Sequence, residues 1–464
     1  MQKLFDEVGS LDKRCYEKFV LTEDLLMEHA ANSMASYIEQ NYSSSNSILI
    51  VCGSGNNGAD GLALSRLLHT KYDIKLFMAS SCKSDMAKLQ FQRVKALGIK
   101  IIEDIEECDI TVDCLFGSGL NKSLKKEAIE LIEKLNSYEN IKIACDIPSG
   151  INKLGQIESI AFEADVTITM GALKTLLFTD IAKDYVGEII VANLGVQREI
   201  YEIESNKYLL DESDIKLPFR NKKNSHKGSF GHLNVVAGCK KGAGIIAAKA
   251  AFGFGTGLVS VVCHENLELP YHIMQTHFIS ENCTAIAIGM GLGKYETAEI
   301  KKILKKDIPI IIDADLFYDK IILEVFNKEI VLTPHPKEFV SLLKLAKIAD
   351  ISVDELQNNR FLYVEKFCKK YPKVTLLLKG ANVIIAQDEK LFVNRFGSAI
   401  LSKGGSGDVL SGLVGSLLAQ GYSCLDAAIS ASLAHTLGAR NYKKNNYSLI
   451  PSDLVEEIRK LWIL

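Results

Sequence analysis

A glycine-rich segment in the second half of the sequence, 403–412 (KGGSGDVLSG), carries the strongest chemical signal in the chain. Gly404, Gly405 and Gly407 precede an apolar helical pattern, so their backbone N–H groups should project from a helix N-terminus and stabilise a transferring phosphoryl group. Asp408 falls in the first turn of that helix, where a carboxylate can take the proton of an attacking hydroxyl. The alternative is a glycine-rich loop whose aspartate only caps the helix.

Four further segments of the second half could complete such a site. The segment 375–383 (TLLLKGANV) predicts a strand, a tight turn and another strand, which is either a nucleotide-binding turn or an ordinary hairpin. In 333–338 (TPHPKE) two prolines fix His335 in a rigid turn, which favours a contact role. The segment 288–293 (IGMGLG) forms a glycine turn after a strand, and the aspartates of 313–315 (DAD) bind a metal through water or cap a helix.

The first half has its own glycine-rich turn, 53–61 (GSGNNGADG), between a predicted strand and a predicted helix. Gly53, Gly55 and Gly58 match the G-x-G-x-x-G spacing, which allows a tight turn, close backbone approach and an anion on the helix N-terminus. The second strand ends in 78–81 (MASS), without the acidic residue that binds a ribose in ordinary dehydrogenases. The sequence therefore argues against hydride transfer; the remaining alternative is a glycine-rich turn with helix capping.

Two aspartates of the first half, Asp113 and Asp146, each end a predicted strand. Ligands of open α/β sheets gather at that edge, and Gly117 and Gly119 after Asp113 can form a second anion-binding turn. With Ser149 and an asparagine of the glycine-rich turn, these oxygens suit an alkali or alkaline-earth cation beside a phosphate. Either aspartate alone could equally be a turn or N-cap residue.

Alternating strands and helices must position these residues. Buried apolar runs separated by helical patterns indicate a parallel doubly wound sheet in the first half, and a second alternating series follows. A charged stretch weakens the pattern between 195 and 224, so we place the boundary near Ser205, giving domains 1–205 and 206–464. Strands are predicted at 47–52, 73–79, 109–116, 141–146, 232–237, 258–263, 284–288, 308–313, 331–333, 374–379, 383–386 and 391–394, and helices at 22–40, 62–69, 86–97, 125–135, 408–420, 424–442 and 452–461.

The whole-chain composition excludes several classes of protein. The 464 residues are 47% hydrophobic with a net charge of −3, which gives neither a basic footprint for nucleic acid nor a polybasic membrane patch. The eleven cysteines are odd in number and form no C-x-x-C pair, so a reducing cytoplasm is expected. Apolar runs are of strand length rather than membrane length, and the N-terminus lacks the pattern of a signal peptide.

The motifs of the first half together resemble the epimerase half of the NAD(P)H-hydrate repair enzymes, over about residues 10–200. The resemblance rests on GSGNNGADG, DCLFGSG, DIPSG and ADVTITMGALK, and it implies a Rossmann-like three-layer sandwich. We assign proton transfer at the hydrated ring to Asp146 and Lys174, although Lys174 alone would more often be a solvated lysine. The implied potassium ligands are Asn57, Asp113 and Ser149. The implied hydrate-binding residues are Asn56, Asn57, Gly58, Ala59, Asp60, Gly117, Ser118, Gly119, Leu120, Asn121, Lys122, Ser123 and Asp146.

The motifs of the second half resemble the ribokinase-like superfamily and, within it, the nucleotide-dependent NAD(P)HX dehydratases, over about residues 208–464. GGSGD alone indicates only the superfamily; the narrower resemblance depends on SHKGSFGHLNVVAG, GAGIIAAKAAFGFGTGLVSV, IGMGLG, TPHP and KGAN together. It implies a ribokinase-like three-layer α/β/α domain that uses ADP with Mg²⁺. The implied hydrate contacts are Ala243, Gly291, His335 and Asp408. The implied nucleotide-binding residues are Lys379, Gly380, Ala381, Asn382, Val383 and Gly407.

Joined in one chain, these halves predict a cytoplasmic enzyme that repairs NADHX and NADPHX. The first half would interconvert the R and S epimers, and the second would dehydrate the S epimer at the expense of ADP, giving AMP and phosphate. Asp408 would deprotonate the ring hydroxyl for attack on the nucleotide. Two alternatives stay open: a ribokinase-like small-molecule kinase, and a first half that only binds a ligand or a partner. We expect a homo-oligomer, with neither nucleic acid nor membrane as partner.

Overall fold

The computed structural model describes residues 1–117, 119 and 123–462, and they form two compact units. The N-terminal unit comprises Lys3–Ser205, and the C-terminal unit comprises Asn206–Leu464 together with Met1–Gln2. Each unit is an α/β structure built on its own sheet, which confirms the predicted fold class.

The N-terminal unit contains a seven-stranded sheet in the order β4-β3-β2-β5-β6-β7-β8, in which all neighbouring strands are parallel. Its strands are β2 (Ser47–Cys52), β3 (Asp73–Met78), β4 (Ile101–Ile102), β5 (Ile110–Cys114), β6 (Ile141–Cys145), β7 (Val166–Met170) and β8 (Glu188–Ala192). Its helices are α1 (Gly9–Lys18), α2 (Glu23–Asn41), α3 (Asn56–Leu68), α4 (Asp85–Ala96), α5 (Lys126–Asn136), α6 (Lys183–Val186) and α7 (Arg198–Tyr201).

The central strand β2 shows why this unit has three layers. Successive side chains of a strand point to opposite faces of the sheet. Ile48 and Ile50 pack into one hydrophobic cluster with residues of α2 and α3, whereas Leu49 and Val51 pack into a second cluster with residues of α5. An uninterrupted apolar strand therefore buries both of its faces, as expected for a doubly wound parallel sheet.

The C-terminal unit contains an eleven-stranded sheet in the order β1-β9-β18-β17-β16-β15-β14-β13-β10-β11-β12. Its strands are β1 (Gln2–Lys3), β9 (Lys207–Leu209), β10 (His232–Val236), β11 (Leu258–Val262), β12 (Met274–Thr276), β13 (Ala285–Ile288), β14 (Ile310–Ile312), β15 (Ile330–Leu332), β16 (Val374–Leu378), β17 (Val383–Gln387) and β18 (Lys390–Asn394). Its helices are α8 (Lys241–Gly253), α9 (Thr297–Leu304), α10 (Pro336–Leu345), α11 (Val353–Asn358), α12 (Arg360–Lys370), α13 (Ser406–Ala419), α14 (Cys424–Asn441) and α15 (Pro451–Arg459). In the order of the sheet, the strands from β12 to β16 are all parallel to their neighbours in that range. β17 is antiparallel to both β16 and β18, as expected for the predicted hairpin.

Helices cover this second sheet as well. One hydrophobic cluster joins Leu233 and Val235 of β10 to the apolar residues of α8, α13 and α14. A set of edge-to-face aromatic contacts centred on Phe367 of α12 joins that helix to Phe326 and to Phe339 of α10. Among the described residues, the helices are all too short or too polar to cross a bilayer.

Some helices of this molecule begin with a capping side chain, whereas two others begin at a glycine. Thr22, Ser84 and Ser423 each accept a hydrogen bond from a backbone N–H of the helix that they precede, namely α2, α4 and α14. The N-cap residue is instead a glycine at α3 and at α13, the two helices that open the predicted sites. Because a glycine has no capping side chain, the first amide N–H groups of α3 and α13 can donate hydrogen bonds to a ligand.

Candidate active sites

The glycine-rich turn of the N-terminal unit lets α3 pack closely against the ends of β2 and β5. A Cβ atom added at Gly53 would lie 1.9 Å from the Leu115 carbonyl oxygen, and one at Gly58 would lie 2.0 Å from the Gly53 carbonyl oxygen. A Cβ atom at Gly61 would lie 2.7 Å from the Cys52 sulfur. Larger residues are excluded by neighbouring backbone at Gly53 and Gly58 and by cysteine side chains at Gly61, which is the close approach that the motif predicts.

A cavity of about 550 Å³ opens at this edge of the N-terminal sheet. Among the predicted residues, Asn56, Asn57, Asp60, Gly117, Gly119 and Asp146 line it. Asp12 and Glu23 also line it, so that four carboxyl groups face one space. Desolvation in this space raises the pKa of Asp60 well above its ordinary value, and the nearby charge of Asp146 adds to the effect.

Asn57 is the buried polar side chain of this cavity that lacks a partner. It is 8% exposed, and neither its amide oxygen nor its amide nitrogen makes a hydrogen bond. Because an unpaired buried amide costs free energy, its oxygen is suited to a cation or a polar ligand. This orphaned oxygen fits the predicted potassium ligand.

Asp113 and Ser149 form a tight buried pair beside that turn. Asp113 accepts hydrogen bonds from the Ser149 hydroxyl at 2.7 Å, from the Ser149 backbone N–H at 2.7 Å and from the Leu115 N–H at 3.1 Å. Burial raises the pKa of Asp113 to about 6, although these donors oppose the shift. Two of the three predicted potassium ligands are therefore in contact with each other.

Asp146 and Lys174 are joined by a short ion pair. The Lys174 ammonium donates to Asp146 Oδ1 at 2.6 Å and to Thr169 Oγ1 at 2.8 Å, and it is 1% exposed. The solvated-lysine alternative is therefore wrong. Asp146 has φ +66°, in the left-handed region, and its Oδ1 also accepts from the Met170 N–H at 3.1 Å and from the Thr169 hydroxyl at 3.3 Å. The backbone and three donors thus fix one oxygen of the carboxylate that lines the cavity.

The other predicted residues of this half lie around the cavity or outside the described part of the chain. Asn56 donates to Glu23 at 2.7 Å, and Ala59 is buried in α3 with negative φ. Ser123 is exposed. The predicted residues Ser118, Leu120, Asn121 and Lys122 lie outside the described residues.

The C-terminal site begins at the start of α13. Gly405 has φ +91°, and a Cβ atom there would lie 2.6 Å from Pro451 Cγ. Asp408 lies in the first turn, half-buried, as the sequence predicts. The buried His435, whose pKa is lowered to about 4 by burial, lies 3.0 Å from the Ser406 carbonyl oxygen and holds the turn as a neutral group.

A lysine crosses from the β16–β17 turn to this helix start. Lys379 Nζ donates to Asp313 Oδ1 at 2.8 Å and lies 3.4 Å from the Cβ position of Gly407. The second oxygen of Asp313 accepts from the Ser411 hydroxyl at 2.6 Å. Asp313 therefore orients Lys379, and the interpretation of Asp313 as a helix cap is wrong, because its side chain makes no capping hydrogen bond.

Asp408 lies close enough to this ion pair for both charges to shift its pKa. Burial raises its pKa, the charge of Asp313 raises it further, and the ammonium of Lys379 lowers it. A carboxylate with a raised pKa is a better general base than one at its ordinary value. A carboxylate, a lysine and amides that no N-cap side chain binds thus lie together at the start of α13.

The predicted nucleotide-binding turn is held by a buried arginine that the sequence did not single out. Arg360, which is 4% exposed, donates to the carbonyl oxygens of Asn382, Leu378 and Lys379. Among the predicted turn residues, Gly380 and Ala381 are exposed, whereas Asn382 and Val383 are buried.

His335 caps α10 and contacts Glu338. Its Nδ1 accepts from the N–H groups of Lys337 and Glu338, and Glu338 accepts in return from the His335 N–H at 2.8 Å. Burial raises the pKa of Glu338 to about 7 and lowers that of His335. This capping box adds a second restraint on the turn beside the prolines.

The remaining predicted hydrate contacts, Ala243 and Gly291, lie together. A Cβ atom at Gly291, where φ is +59°, would lie 3.1 Å from Ala243 Cβ, and the Gly291 carbonyl accepts from the Lys240 N–H at 2.9 Å. Asp315 accepts from the Gly293 N–H at 2.8 Å and so holds the same glycine turn.

The described residues of the chain contain no group of three or more His, Cys, Asp or Glu side chains arranged to hold a metal ion. Mg²⁺ in phosphoryl-transfer sites needs only one or two carboxylates together with the phosphates of its substrate. The carboxylates of Asp313 and Asp408 fit that smaller requirement.

Comparisons with known proteins agree across the whole chain. A family model described as NAD(P)H-hydrate dehydratase matches residues 233–460, and one described as YjeF-related protein N-terminus matches residues 23–176. The chain is 45% identical to the bifunctional NAD(P)H-hydrate repair enzyme Nnr of Helicobacter pylori, over 99% of this chain and 100% of that one. It is 31% identical to the protein of the same name from Dictyoglomus turgidum, over 97% and 96% of the two chains. A solved ADP/ATP-dependent NAD(P)H-hydrate dehydratase from Bacillus subtilis, co-crystallised with ATP/Mg²⁺, is 26% identical, with a TM-score of 0.47, and covers 54% of this chain and 96% of that one.

Proposed function

Because the chain belongs to the bifunctional NAD(P)H-hydrate repair enzymes, which join an epimerase and a dehydratase, we propose that its two aspartate-centred sites carry out the two reactions separately. Epimerisation is assigned to residues 1–205, and dehydration of the S epimer to residues 206–464. The substrates are NADHX and NADPHX. This assignment is favoured over a small-molecule kinase by the extent of the family match.

The dehydratase mechanism depends on the start of α13. Asp408 takes the proton of the ring hydroxyl, whose oxygen then attacks the terminal phosphoryl group of ADP, and AMP leaves. Phosphate subsequently leaves with the C–O electron pair, a proton leaves the adjacent ring carbon, and the double bond returns. The amide of Gly407 and the ammonium of Lys379, oriented by Asp313, stabilise the charge on the transferring group.

The nucleotide and its cation are assigned to the turn between β16 and β17. Lys379 to Val383 would hold the phosphates and the adenosine, and Asp408 with Asp313 would face the Mg²⁺ that ADP carries. When bound, Mg²⁺ neutralises phosphate charge. The preference for ADP rests on the resemblance of the sequence motifs, and parallel assays with ADP and ATP test it: we expect AMP and phosphate to form from ADP in equal amounts.

The epimerase mechanism depends on the cavity of the N-terminal unit. Asp146, with Lys174 fixing one oxygen, moves a proton at the hydrated ring. Gly117 and Gly119, together with Asn56 to Asp60, would bind the hydrate from the turns. The substrate ring is apolar on its faces, and the walls contributed by Met27, Met170 and Leu194 suit it.

Potassium is assigned to Asn57, Asp113 and Ser149. When bound, K⁺ would offset the negative charge of the carboxylates and of the substrate's phosphates. We expect K⁺ to raise the rate of epimerisation and the melting temperature of the N-terminal unit, and Asn57→Ala to remove both effects. A K⁺ response that Asn57→Ala retains would place the ion elsewhere.

The observation that carries the proposal is the convergence of Asp408, Lys379 and uncapped amides at one helix start. Its test is an absorbance assay of NADH recovery from a mixture of R and S epimers with ADP. Full recovery requires both sites. Recovery that stops at the S fraction would mean that the N-terminal site is inactive, and a stable phosphorylated product would favour a kinase.

Two smaller proposals concern the cellular compartment and the oligomeric state of the protein. All eleven cysteines are free thiols, which fits a reducing cytoplasm. We expect a homo-oligomer, which light scattering of the purified chain tests directly.

A further inference from the structure

Asp12 of α1 is a cavity carboxyl group that the mechanism above leaves unused. It lines the same cavity as Asp146 and Asp60. Burial raises its pKa, the charge of Asp146 adds to the rise, and the ammonium of Lys174 opposes it. These influences place Asp12 within electrostatic reach of the Asp146–Lys174 pair.

A buried tyrosine that lies far from Asp12 in the sequence, Tyr201 of α7, holds Asp12 in place. The Tyr201 hydroxyl donates to Asp12 Oδ1 at 2.7 Å, and Tyr201 is 1% exposed. Arg14, two residues after Asp12 on α1, donates to the Tyr201 carbonyl oxygen at 2.8 Å. The carboxyl group is therefore oriented by a partner that is itself fixed at both ends.

A glycine directly after strand β7, in the turn that leads to Lys174, makes room for this tyrosine. Gly171 has φ +72°, and a Cβ atom there would lie 2.6 Å from the Tyr201 ring. The turn that brings Lys174 to Asp146 thus also packs against the residue that orients Asp12. One short segment links two acidic groups of the cavity.

Inversion of the hydroxyl-bearing carbon by loss and re-addition of water needs proton transfer on both faces of the ring. A group on one face must protonate the departing hydroxyl, and a group on the opposite face must deprotonate the water that replaces it. We propose that Asp12, held by Tyr201, is the second proton-transferring residue of the epimerase site and acts on the ring face opposite to Asp146. This inference rests on the proposed function of the N-terminal site.

The step balances without any further reactant. The C–O bond breaks with its electron pair on oxygen, one carboxyl group supplies a proton, and water is released. The lone pair of the adjacent ring nitrogen forms a C=N bond. A second water then adds to the carbon from the other face, the C=N electrons return to nitrogen, and the other carboxylate takes the released proton. The two acids exchange protonation states, so each product complex is set for the reverse epimer.

The groups that surround Asp12 define how its protonation should respond to pH. Tyr16 and Cys15 lie on its own helix, Glu23 lies on α2, and Asp60, Asp146, Lys174 and Tyr201 face it from other elements. The Tyr201 hydrogen bond favours the charged carboxylate and lowers its pKa. Removing that hydroxyl should therefore raise the pKa of Asp12.

The first experiment uses the full chain without nucleotide, so that the dehydratase is idle, and follows conversion of purified R-NADHX to the S epimer by chromatography. We expect Asp12→Asn to lower kcat about 10²-fold or more with little change in KM. Glu17→Gln, on the same helix with a side chain that is 63% exposed, is the matched control and should keep the rate of the unaltered chain. Asp146→Asn is run in parallel.

The outcomes separate this inference from the function on which it rests. Loss of epimerisation in Asp146→Asn with full activity in Asp12→Asn would overturn the role of Asp12 and leave the proposed function intact. Absence of epimerisation by the unaltered chain would overturn the proposed function itself. If Asp12→Asn does not fold, as judged by circular dichroism, the Tyr201→Phe variant tests the role of Asp12 instead.

Tyr201→Phe keeps the ring and removes only the hydroxyl group. We expect the pH limb of kcat/KM that reports the Asp12 carboxylate to move to higher pH, whereas a merely structural role would lower the rate without moving that limb. In ¹⁸O-labelled water, two-sided inversion must place one solvent oxygen in the product per event. Retention of the original oxygen would overturn the proposal.

Discussion

The central aspartates of the two sites are paired in different ways. In the N-terminal site, Asp146, to which we assign proton transfer, is itself the partner of the buried Lys174. In the C-terminal site, the lysine is paired with Asp313, and Asp408 lies beside that ion pair. Under the proposed functions, the first arrangement would hold a carboxylate and an ammonium together for proton exchange on a neutral ring. The second would leave Asp408 free to act as a base while the lysine stabilises an anionic phosphoryl group.

The charged groups around the two sites also differ. Four carboxyl groups line the cavity of the N-terminal unit, and burial raises the pKa of two of them, Asp12 and Asp60. The start of α13 offers glycine amides and one lysine, which favour the accumulation of negative charge. Site electrostatics, rather than the α/β fold that the two units share, distinguish the two reactions.

The largest expected effect is that of Asp408→Asn. Asparagine keeps the shape but cannot take a proton, so ADP-dependent recovery of NADH from the S epimer should fall about 10³–10⁴-fold. Epimerisation by the same chain should be unchanged. An unaltered dehydration rate would break the comparison, because the base would then lie elsewhere.

Lys174→Met should reduce the other reaction by about 10²–10³-fold. Methionine fills a similar volume but leaves Asp146 without its buried cation. Conversion of the R epimer without nucleotide measures the effect, and dehydration of the S epimer on the same preparation is the control. Equal losses in both reactions would show that the sites are not independent.

Much of this arrangement could be predicted from the sequence, because the groups concerned follow apolar strands or precede apolar helices. The strand at Ser47–Cys52 was predicted with its observed bounds, and the antiparallel pair of β16 and β17 was predicted from the KGAN turn. Asp12 was missed because it lies in an ordinary amphipathic helix and meets Tyr201 only through a separation of 189 residues. The pairing of Lys379 with Asp313, across 66 residues, likewise depends on tertiary structure.

Gly405→Ala tests whether the helix start of the C-terminal site must be free of side chains. Its φ of +91° and the contact with Pro451 both disfavour alanine. We expect dehydration to slow about tenfold, equivalent to about 1.4 kcal/mol. Gly242→Ala, in α8 with open space around it, should change the free energy of unfolding by no more than about 1 kcal/mol. If Gly242→Ala slowed dehydration as much as Gly405→Ala does, the role given to Gly405 would be contradicted.

Glu338→Gln tests the effect of burial without changing the proposed base. The pKa of Glu338 is raised from 4.5 to about 7, so the folded chain binds this proton more tightly than the unfolded chain. The contribution of Glu338 to stability is therefore fully present below its unfolded pKa and is lost as pH rises to about 7. Urea denaturation at about pH 5 and about pH 8 should show the variant gaining on the order of 1–2 kcal/mol relative to the unaltered chain at the higher pH. A constant difference would show that the carboxyl group titrates normally.

The left-handed backbone of Asp146 restricts which replacements this position can accept. Aspartate and asparagine enter that conformation readily, whereas β-branched residues do so at a cost of about 1–2 kcal/mol. A saturation library at codon 146 should therefore yield three separable classes: asparagine and glycine as folded but inactive chains, valine and isoleucine as poorly expressed chains, and aspartate alone as a functional one. The geometry of one peptide unit would thus be visible in protein yield as well as in turnover.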